Sequence, residues 1–84
     1  MTETKIGTIT HYYTHLHVAG VLVTDGELRT GDRIHIKGHT SDFEQTVKSM
    51  EIDHQHIDRA KPGDDIGLAV IEHAREHDTV YKVH

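Results

Sequence analysis

Short runs of β-forming residues, each followed by a turn signal, recur along this chain of 84 residues. β-branched and aromatic residues suit a pleated, half-buried surface, and dipeptides such as Asp25-Gly26 favour tight turns. One stretch has some helical character, IEHAREH (71–77), but it lacks length and a sustained apolar stripe. Six runs carry the pattern: KIGTITHYY (5–13), HLHVAGVLV (15–23), RIHIK (33–37), EQTVKSMEID (44–53), IGLAVI (66–71) and TVYKV (79–83).

These runs predict an all-β fold, a small closed antiparallel six-stranded β-barrel, because closing a sheet removes its vulnerable edges. In RIHIK the period of two places Ile34 and Ile36 inward. In IGLAVI the same period places Ile66, Leu68 and Val70 on one face. In EQTVKSMEID the apolar residues break strict alternation, and a β-bulge near Ser49 would restore one face.

Composition predicts one domain, residues 1–84, with an economical core, since 35% of the chain is hydrophobic and Trp is absent. Such a chain either packs tightly or buries part of its surface against a partner or a second copy, so a homo-oligomer is an alternative. The absence of Cys excludes disulfides and thiolate ligands. The polar N-terminus and short apolar runs favour a soluble cytoplasmic protein that does not enter a membrane.

Charge argues against tight, non-specific binding of DNA or RNA. The formal net charge is -5, from 14 acidic and nine basic residues with His counted as neutral. Nucleic-acid binders usually present a basic face that displaces counterions from phosphates. The ten histidines make the net charge strongly pH-dependent, because an unperturbed His has a pKa of about 6.5.

Glycine and aspartate adjoin at two predicted turns, Gly31-Asp32 and Gly63-Asp64. Glycine tolerates the positive φ that a tight turn needs, and the Asp side chain bonds nearby backbone N–H groups. Gly67 lies inside a run of β-forming residues, which indicates a bend or a close backbone approach.

The segment TVKSMEIDHQHIDRAKPGDDIGLAV (46–70) resembles the second, β-barrel domain of translational GTPases, above all elongation factors of the Tu and archaeal/eukaryotic alpha type. Upstream, Gly26, Leu28 and Gly31 begin a similar likeness that continues through Asp32, Ile34 and Gly38. The residues that carry the resemblance in the segment are Val47, Lys48, Ser49, Glu51, His54, Ala60, Pro62, Gly63, Asp64, Gly67 and Val70.

The resemblance implies the fold, and in full-length factors this barrel packs against the GTPase domain and helps hold the aminoacyl end of tRNA. In the approach to the glycine turn, LVTDG (22–26), the family often has basic residues where this chain has Leu22 and Asp25. This difference argues against carrying over the tRNA-binding role. No G-x-x-x-x-G-K-[ST] occurs, so GTP hydrolysis does not carry over. Similar barrels also resemble C-terminal modules of collagenase-like peptidases, so an accessory role beside an enzyme is an alternative.

Two pairs of histidines are candidate metal ligands, His15 with His17 and His54 with His56. On a strand, residues two apart share a face, and a carboxylate from Glu51 or Asp53 would add a ligand for Zn, Ni or Cu. The alternative is that these histidines are ordinary polar residues of a barrel surface, in which case the protein has no cofactor.

A second candidate surface is cationic. Arg33, His35 and Lys37 alternate on one strand face, with Arg29 and Lys48 predicted nearby. It would contact an RNA backbone or an acidic partner, or it is a solvated face whose charges discourage edge-to-edge aggregation.

The sequence offers no catalytic motif, since no nucleophile elbow or paired general acid and base is present. We therefore expect a stand-alone, non-enzymatic binding module for RNA, a ribosome-associated component or a protein partner. The alternative function is that of a His-rich metal-binding or pH-responsive protein.

Overall fold

Strands and turns make up the computed structural model, which describes residues 2–84 and contains no helix in that range. The all-β prediction is therefore confirmed. The strands are β1 (Glu3–Tyr13), β2 (Val18–Val23), β3 (Leu28–Arg29), β4 (Arg33–Lys37), β5 (Asp42–Thr46), β6 (Met50–Ile52), β7 (Gln55–Ile57), β8 (Arg59–Ala60), β9 (Asp65–Ala69) and β10 (Thr79–Val83).

Eight strands form one antiparallel sheet in the order β5-β4-β10-β1-β2-β9-β6-β7, and β3 pairs with β8 in a separate ribbon. The end strands β5 and β7 do not pair with each other in the described part of the chain. The prediction of a closed six-stranded barrel is thus wrong both in the number of strands and in closure of the ladder.

The additional strands arise where backbone groups leave the main ladder. The Val47 N–H donates to the Asp32 carbonyl at 2.8 Å, and the Val47 carbonyl accepts from the Gly31 N–H at 2.8 Å. This exchange splits the predicted strand 44–53 into β5 and β6. Asp53 and His54 then take positive φ, 51° and 64°, and return the chain into β7. The bulge predicted near Ser49 is likewise wrong, because the residues 47–49 lie outside any strand.

The core is built from the inward residues of the alternating strands. Ile34 and Ile36 of β4 and Ile66 and Leu68 of β9 are buried, as their period of two predicts, and so is Val70. Each such aliphatic side chain contributes about 1.5–3 kcal/mol when removed from water. The full core is Ile6, Ile9, Ala19, Val21, Val23, Leu28, Ile34, Ile36, Phe43, Val47, Met50, Ala60, Ile66, Leu68, Val70, Ala74 and Val80.

The buried amide of Gln45 ties β5 to the end of β9. Its Nε2 donates to the Ala69 carbonyl at 2.9 Å, and its Oε1 accepts from the Ile71 N–H at 2.8 Å. A side-chain amide that satisfies both a backbone donor and a backbone acceptor substitutes locally for the missing strand pairing.

The predicted Gly-Asp turns are confirmed. The Arg29 N–H donates to Asp32 Oδ2 at 2.8 Å, and the Lys61 N–H donates to Asp64 Oδ2 at 3.0 Å. Gly31 and Gly63 precede these aspartates with φ of 97° and 96°. Asp32 immediately precedes β4 and Asp64 immediately precedes β9, so the two turns fix where these strands begin.

A third turn of this kind was not predicted, because its positive-φ residue is His77 rather than Gly. The Arg75 N–H donates to Asp78 Oδ2 at 2.9 Å, and Asp78 is buried. Gly38 lies directly against this carboxylate, and a Cβ at residue 38 would overlap with it. The end of β4 therefore requires glycine for a close approach to Asp78.

Among the residues 2–84, none belongs to a helix with the length and apolar character needed to cross a bilayer.

Candidate binding surfaces

The outward face of β4 carries Arg33, His35 and Lys37, as predicted, but its central residue is not free. The His35 side chain is 14% exposed, with Nδ1 2.7 Å from Glu3 Oε2 and Nε2 2.5 Å from Asp42 Oδ1. The hydrogen bond to Asp42, joined by that to Glu3, raises the pKa of His35 against the opposing effect of burial. We call this arrangement of Glu3, His35 and Asp42 the His35 bridge.

The other predicted cations are either paired or elsewhere. Arg33 Nε lies 3.4 Å from Glu44 Oε1, and Lys37 is opposite Asp42 in the β4–β5 register. Arg29 lies on the small β3–β8 ribbon, where its Nε is 2.9 Å from Glu27 Oε1. That contact holds the pKa of Glu27 below its usual value.

Lys48 is exposed in the segment between β5 and β6, outside β4. The five predicted residues thus do not form one cationic face. On β4 the cross-strand neighbours are carboxylates, and the surface there is of mixed charge.

The histidine pairs do not lie on strand faces, so that geometric prediction is wrong. His15 and His17 belong to the four-residue turn between β1 and β2, where His17 has φ of 54°. His54 lies in the β6–β7 turn, and His56 is on β7 with its Nε2 3.2 Å from Asp58 Oδ1. No three His, Asp or Glu side chains in the range 2–84 are grouped for a metal ion.

A groove that the sequence did not reveal crosses the outer face of β2, β9 and β6. Gly20 is opposite Gly67 in the β2–β9 register, and Gly67 is opposite Glu51 in the β9–β6 register. Two adjacent residues without side chains leave a concavity of about 370 Å³ above the sheet. We call it the glycine groove.

One wall of the glycine groove is apolar and belongs to the β1–β2 hairpin. Tyr13 is 47% exposed and Leu16 is 68% exposed. The hairpin is ordered by its own contacts: the Leu16 N–H donates to the Tyr13 carbonyl at 3.1 Å, and the His11 and Tyr13 rings meet edge to face at 4.4 Å. The hydrogen bond therefore holds the backbone of the turn, and the edge-to-face contact holds the Tyr13 ring beside the groove.

The opposite wall is acidic. Glu51 and Asp53, from β6 and its turn, line the groove with His54, and Asp65 lies at its β9 end. No Lys or Arg lines it, and none of the three carboxylates is within 4.0 Å of a cationic group in the described range. Like charges so placed attract a cation that the chain itself does not supply.

Sequence reasoning missed this groove for two reasons. The run HLHVAGVLV (15–23) predicts a strand, whereas residues 14–17 form a turn in which Leu16 is exposed. The one available signal was glycine inside two strand-like runs, Gly20 and Gly67. Their juxtaposition depends on strand register, which the sequence of either strand alone does not specify.

Comparison with known proteins gives a family and a fold. A family model for elongation factor Tu domain 2 matches residues 17–76. The C-terminal domain of a Geobacillus thermoleovorans protein named as a U32 peptidase superposes with a TM-score of 0.86 at 20% identity, over 94% of this chain and 91% of that one. Its selenomethionine variant gives a TM-score of 0.84 at 19% identity, over 90% and 95% of the two chains.

Two longer proteins contain a segment similar to the whole chain. An uncharacterized protease of Methanocaldococcus jannaschii is 36% identical over 78 residues, which are 92% of this chain and 19% of that protein. A collagenase of Porphyromonas gingivalis is 32% identical over 81 residues, or 95% of this chain and 22% of that protein. The chain spans about a fifth of the length of these curated relatives.

Proposed function

Because this chain belongs to the elongation factor Tu domain 2 family, and similar segments occur in longer proteins named as a protease and a collagenase, we propose that it is a non-enzymatic protein-binding module. We propose further that it serves a peptidase of the U32 type, the type named for its structural neighbour. Its partner is a polypeptide, and the binding surface is the glycine groove with the adjacent hairpin.

The observation that carries this proposal is the exposed apolar wall formed by Tyr13 and Leu16 beside a concavity. Large apolar side chains that project next to a groove typify protein-binding surfaces, where aromatic anchors contribute most of the affinity. The hairpin contacts hold the turn backbone and the Tyr13 ring before binding, which lowers the entropy lost on association.

A polypeptide is favoured over RNA because of where charge is free. Arg33 and His35 of β4 are paired with Glu44 and Asp42, whereas Glu51, Asp53 and Asp65 have no cation beside them. A phosphate backbone needs unpaired Lys and Arg to displace its counterions. The unpaired charge of this surface has the sign that repels phosphate.

The composition of the polar cluster around His35 supports the proposal of a non-enzymatic role. His35 contacts two carboxylates, Glu3 and Asp42, and neither can act as an activated nucleophile of the hydroxyl or thiol type. Ser41 is buried, and its Oγ has no partner within the described range. We therefore propose binding, rather than bond cleavage, as the role of this chain.

A segment exchange tests this function. The 81-residue matching segment of the P. gingivalis collagenase is deleted in one version and replaced by this chain in another, and collagen cleavage is measured. We expect deletion to reduce cleavage and replacement to restore it. No loss on deletion, or no recovery with a folded replacement, would overturn the proposal.

A pair of variants tests whether restoration of cleavage depends on the glycine groove. Leu16→Ser removes an apolar side chain that is 68% exposed at the groove, and Ile71→Ser removes one that is 66% exposed outside its lining. We expect only the Leu16→Ser replacement to fail in restoring cleavage. Equal behaviour of the two would show that the groove is not the surface used.

A further inference from the structure

We propose that the glycine groove binds an extended segment of the partner in which a Lys or Arg side chain neighbours an apolar one. The basic group lies along Glu51, Asp53 and Asp65, and the apolar group packs on Tyr13 and Leu16. This inference rests on the proposed function, and it specifies the chemistry of the partner.

The floor of the groove admits a polypeptide backbone. Gly20 and Gly67 present only main chain to the groove, and filling either position would narrow it. A Cβ at residue 67 would lie 3.4 Å from both Glu51 Cγ and Val18 Cγ1, which is ordinary contact. A Cβ at residue 20 would come within 2.9 Å of Thr10 Oγ1.

The dimensions favour an extended segment rather than a compact one. Neighbouring strands are about 4.8 Å apart, so a path across β2, β9 and β6 is roughly 10 Å long, the length of about three extended residues. The concavity of about 370 Å³ lies within the usual size of a binding pocket but is shallow and open. A short extended stretch fits such a shape.

The charges specify the side chains of that segment. Three carboxylates without cationic neighbours line one side, and Tyr13 presents a ring on the other. An ammonium or guanidinium group gains Coulomb attraction from the carboxylates and interacts favourably with an aromatic face. An acidic segment at the same distance would be repelled by the carboxylates about as strongly as a basic one is attracted.

The test is an NMR titration of the whole chain labelled with ¹⁵N, using pentapeptides blocked at both ends. One peptide alternates Leu and Lys, a second alternates Leu and Glu, and a third alternates Ser and Lys. We expect shifts of the Gly20, Gly67 and Glu51 amides with the first peptide, and binding at least about tenfold weaker with the other two. Equal binding of the Leu–Glu peptide, or shifts confined to β4, would overturn the inference.

Three variants locate the contact. Glu51→Lys and Gly67→Ala are each expected to weaken binding of the Leu–Lys peptide several-fold. Asp58→Lys makes the same change in net charge as Glu51→Lys at a carboxylate that is outside the groove lining, and should bind as the unaltered chain does. An equal loss of peptide affinity in the Asp58 and Glu51 variants would show that only the net charge of the chain matters, and this would overturn the inference.

Failure here is distinguishable from failure of the proposed function. A chain that restores collagen cleavage through Leu16 but ignores the Leu–Lys peptide refutes the partner chemistry alone. A chain that binds the peptide in the groove but restores no cleavage refutes the link to the peptidase.

Discussion

The two outer faces of the sheet carry charge in opposite ways. Across β4 and β5, Arg33 pairs with Glu44 and His35 pairs with Asp42. On β2, β9 and β6, carboxylates surround two glycines with no cation beside them. A row of cations in one strand therefore does not indicate a cationic surface, because its neighbours in the sheet determine which charge stays free.

Glycine distinguishes the faces as well. Gly38, at the end of β4, makes room for the buried carboxylate of Asp78, so its role is structural. Gly67, in the groove, has space for a methyl group at ordinary contact distance. Its lack of a side chain is not required by packing, which is consistent with a role in leaving the groove open.

The largest expected effect tests this difference between the glycines. Gly38→Ala should lower the free energy of unfolding by about 2–3 kcal/mol, since the added methyl group overlaps with a fixed, buried side chain. Gly67→Ala should change it by less than about 0.5 kcal/mol. Urea unfolding followed by far-UV circular dichroism measures both. Similar losses would mean that Gly67 is also needed for packing and that the groove is a by-product of the fold.

The His35 bridge gives the paired face a pH dependence. The raised pKa of His35 means that its contribution to stability is complete below its ordinary value of about 6.5 and is lost as pH rises through the folded value. The lowered pKa of Asp42, caused first by His35, means that its contribution is present above about 3.8 and is lost as pH falls through the folded value. The bridge is thus most effective between about pH 3.8 and 6.5.

His35→Gln should accordingly destabilise the protein by up to about 1 kcal/mol at pH 5.5 and by less at pH 9, the range measured for ion pairs near a surface. The matched control is His56→Gln, because His56 also contacts a carboxylate but is exposed. Urea midpoints at the two pH values give the comparison. A loss in the His35 variant that is the same at both pH values would show that His35 contributes through packing alone.

Sequence reasoning succeeded where one strand or one turn determines the outcome. The burial of Ile34 and Ile36, and the aspartate bonds of the Gly31 and Gly63 turns, depend on residues within five positions of one another. The family was also recognisable from one ordered run of residues.

It failed where distant strands must be brought together. The Glu3–His35 contact spans 32 positions, and the Gly20–Gly67 pairing joins β2 to β9. The positive φ of His17 and His54 also gave no signal, since these residues favour such a conformation less strongly than Gly does. Each failure concerns either cross-strand register or a turn without glycine.

The pairing of the β4 cations leads to a smaller expected effect, on RNA. A fluorescent single-stranded RNA should bind weakly, with a salt slope no steeper than about -1, because Arg33 is already paired with Glu44 and the formal net charge of the chain is -5. The double variant Arg33→Glu, Lys37→Glu should change affinity by less than about twofold. Anisotropy titrations at two salt concentrations measure both quantities. A salt slope of about -3 that disappears in the double variant would show that RNA displaces the β5 carboxylates from the β4 cations. The β4–β5 face would then offer free positive charge, and its contrast with the groove would not hold in the form described.

The smallest expected effect concerns zinc. A zinc ion bound at His54 would neutralise the acidic wall of the groove, and the groove would then no longer differ from the β4–β5 face in having unpaired carboxylates. A site occupied at one hundred times its Kd stabilises a fold by about 2.7 kcal/mol, which in a domain of this size raises Tm by roughly 10 °C or more. Because His54 and His56 do not share a strand face, and His15 and His17 lie in a turn, we expect a shift below about 2 °C at 100 µM zinc. His54→Ala should respond identically. A large rise in Tm with zinc that is absent in His54→Ala would show that the groove binds a metal cation. That cation would repel a basic peptide at the position where we expect the peptide to bind.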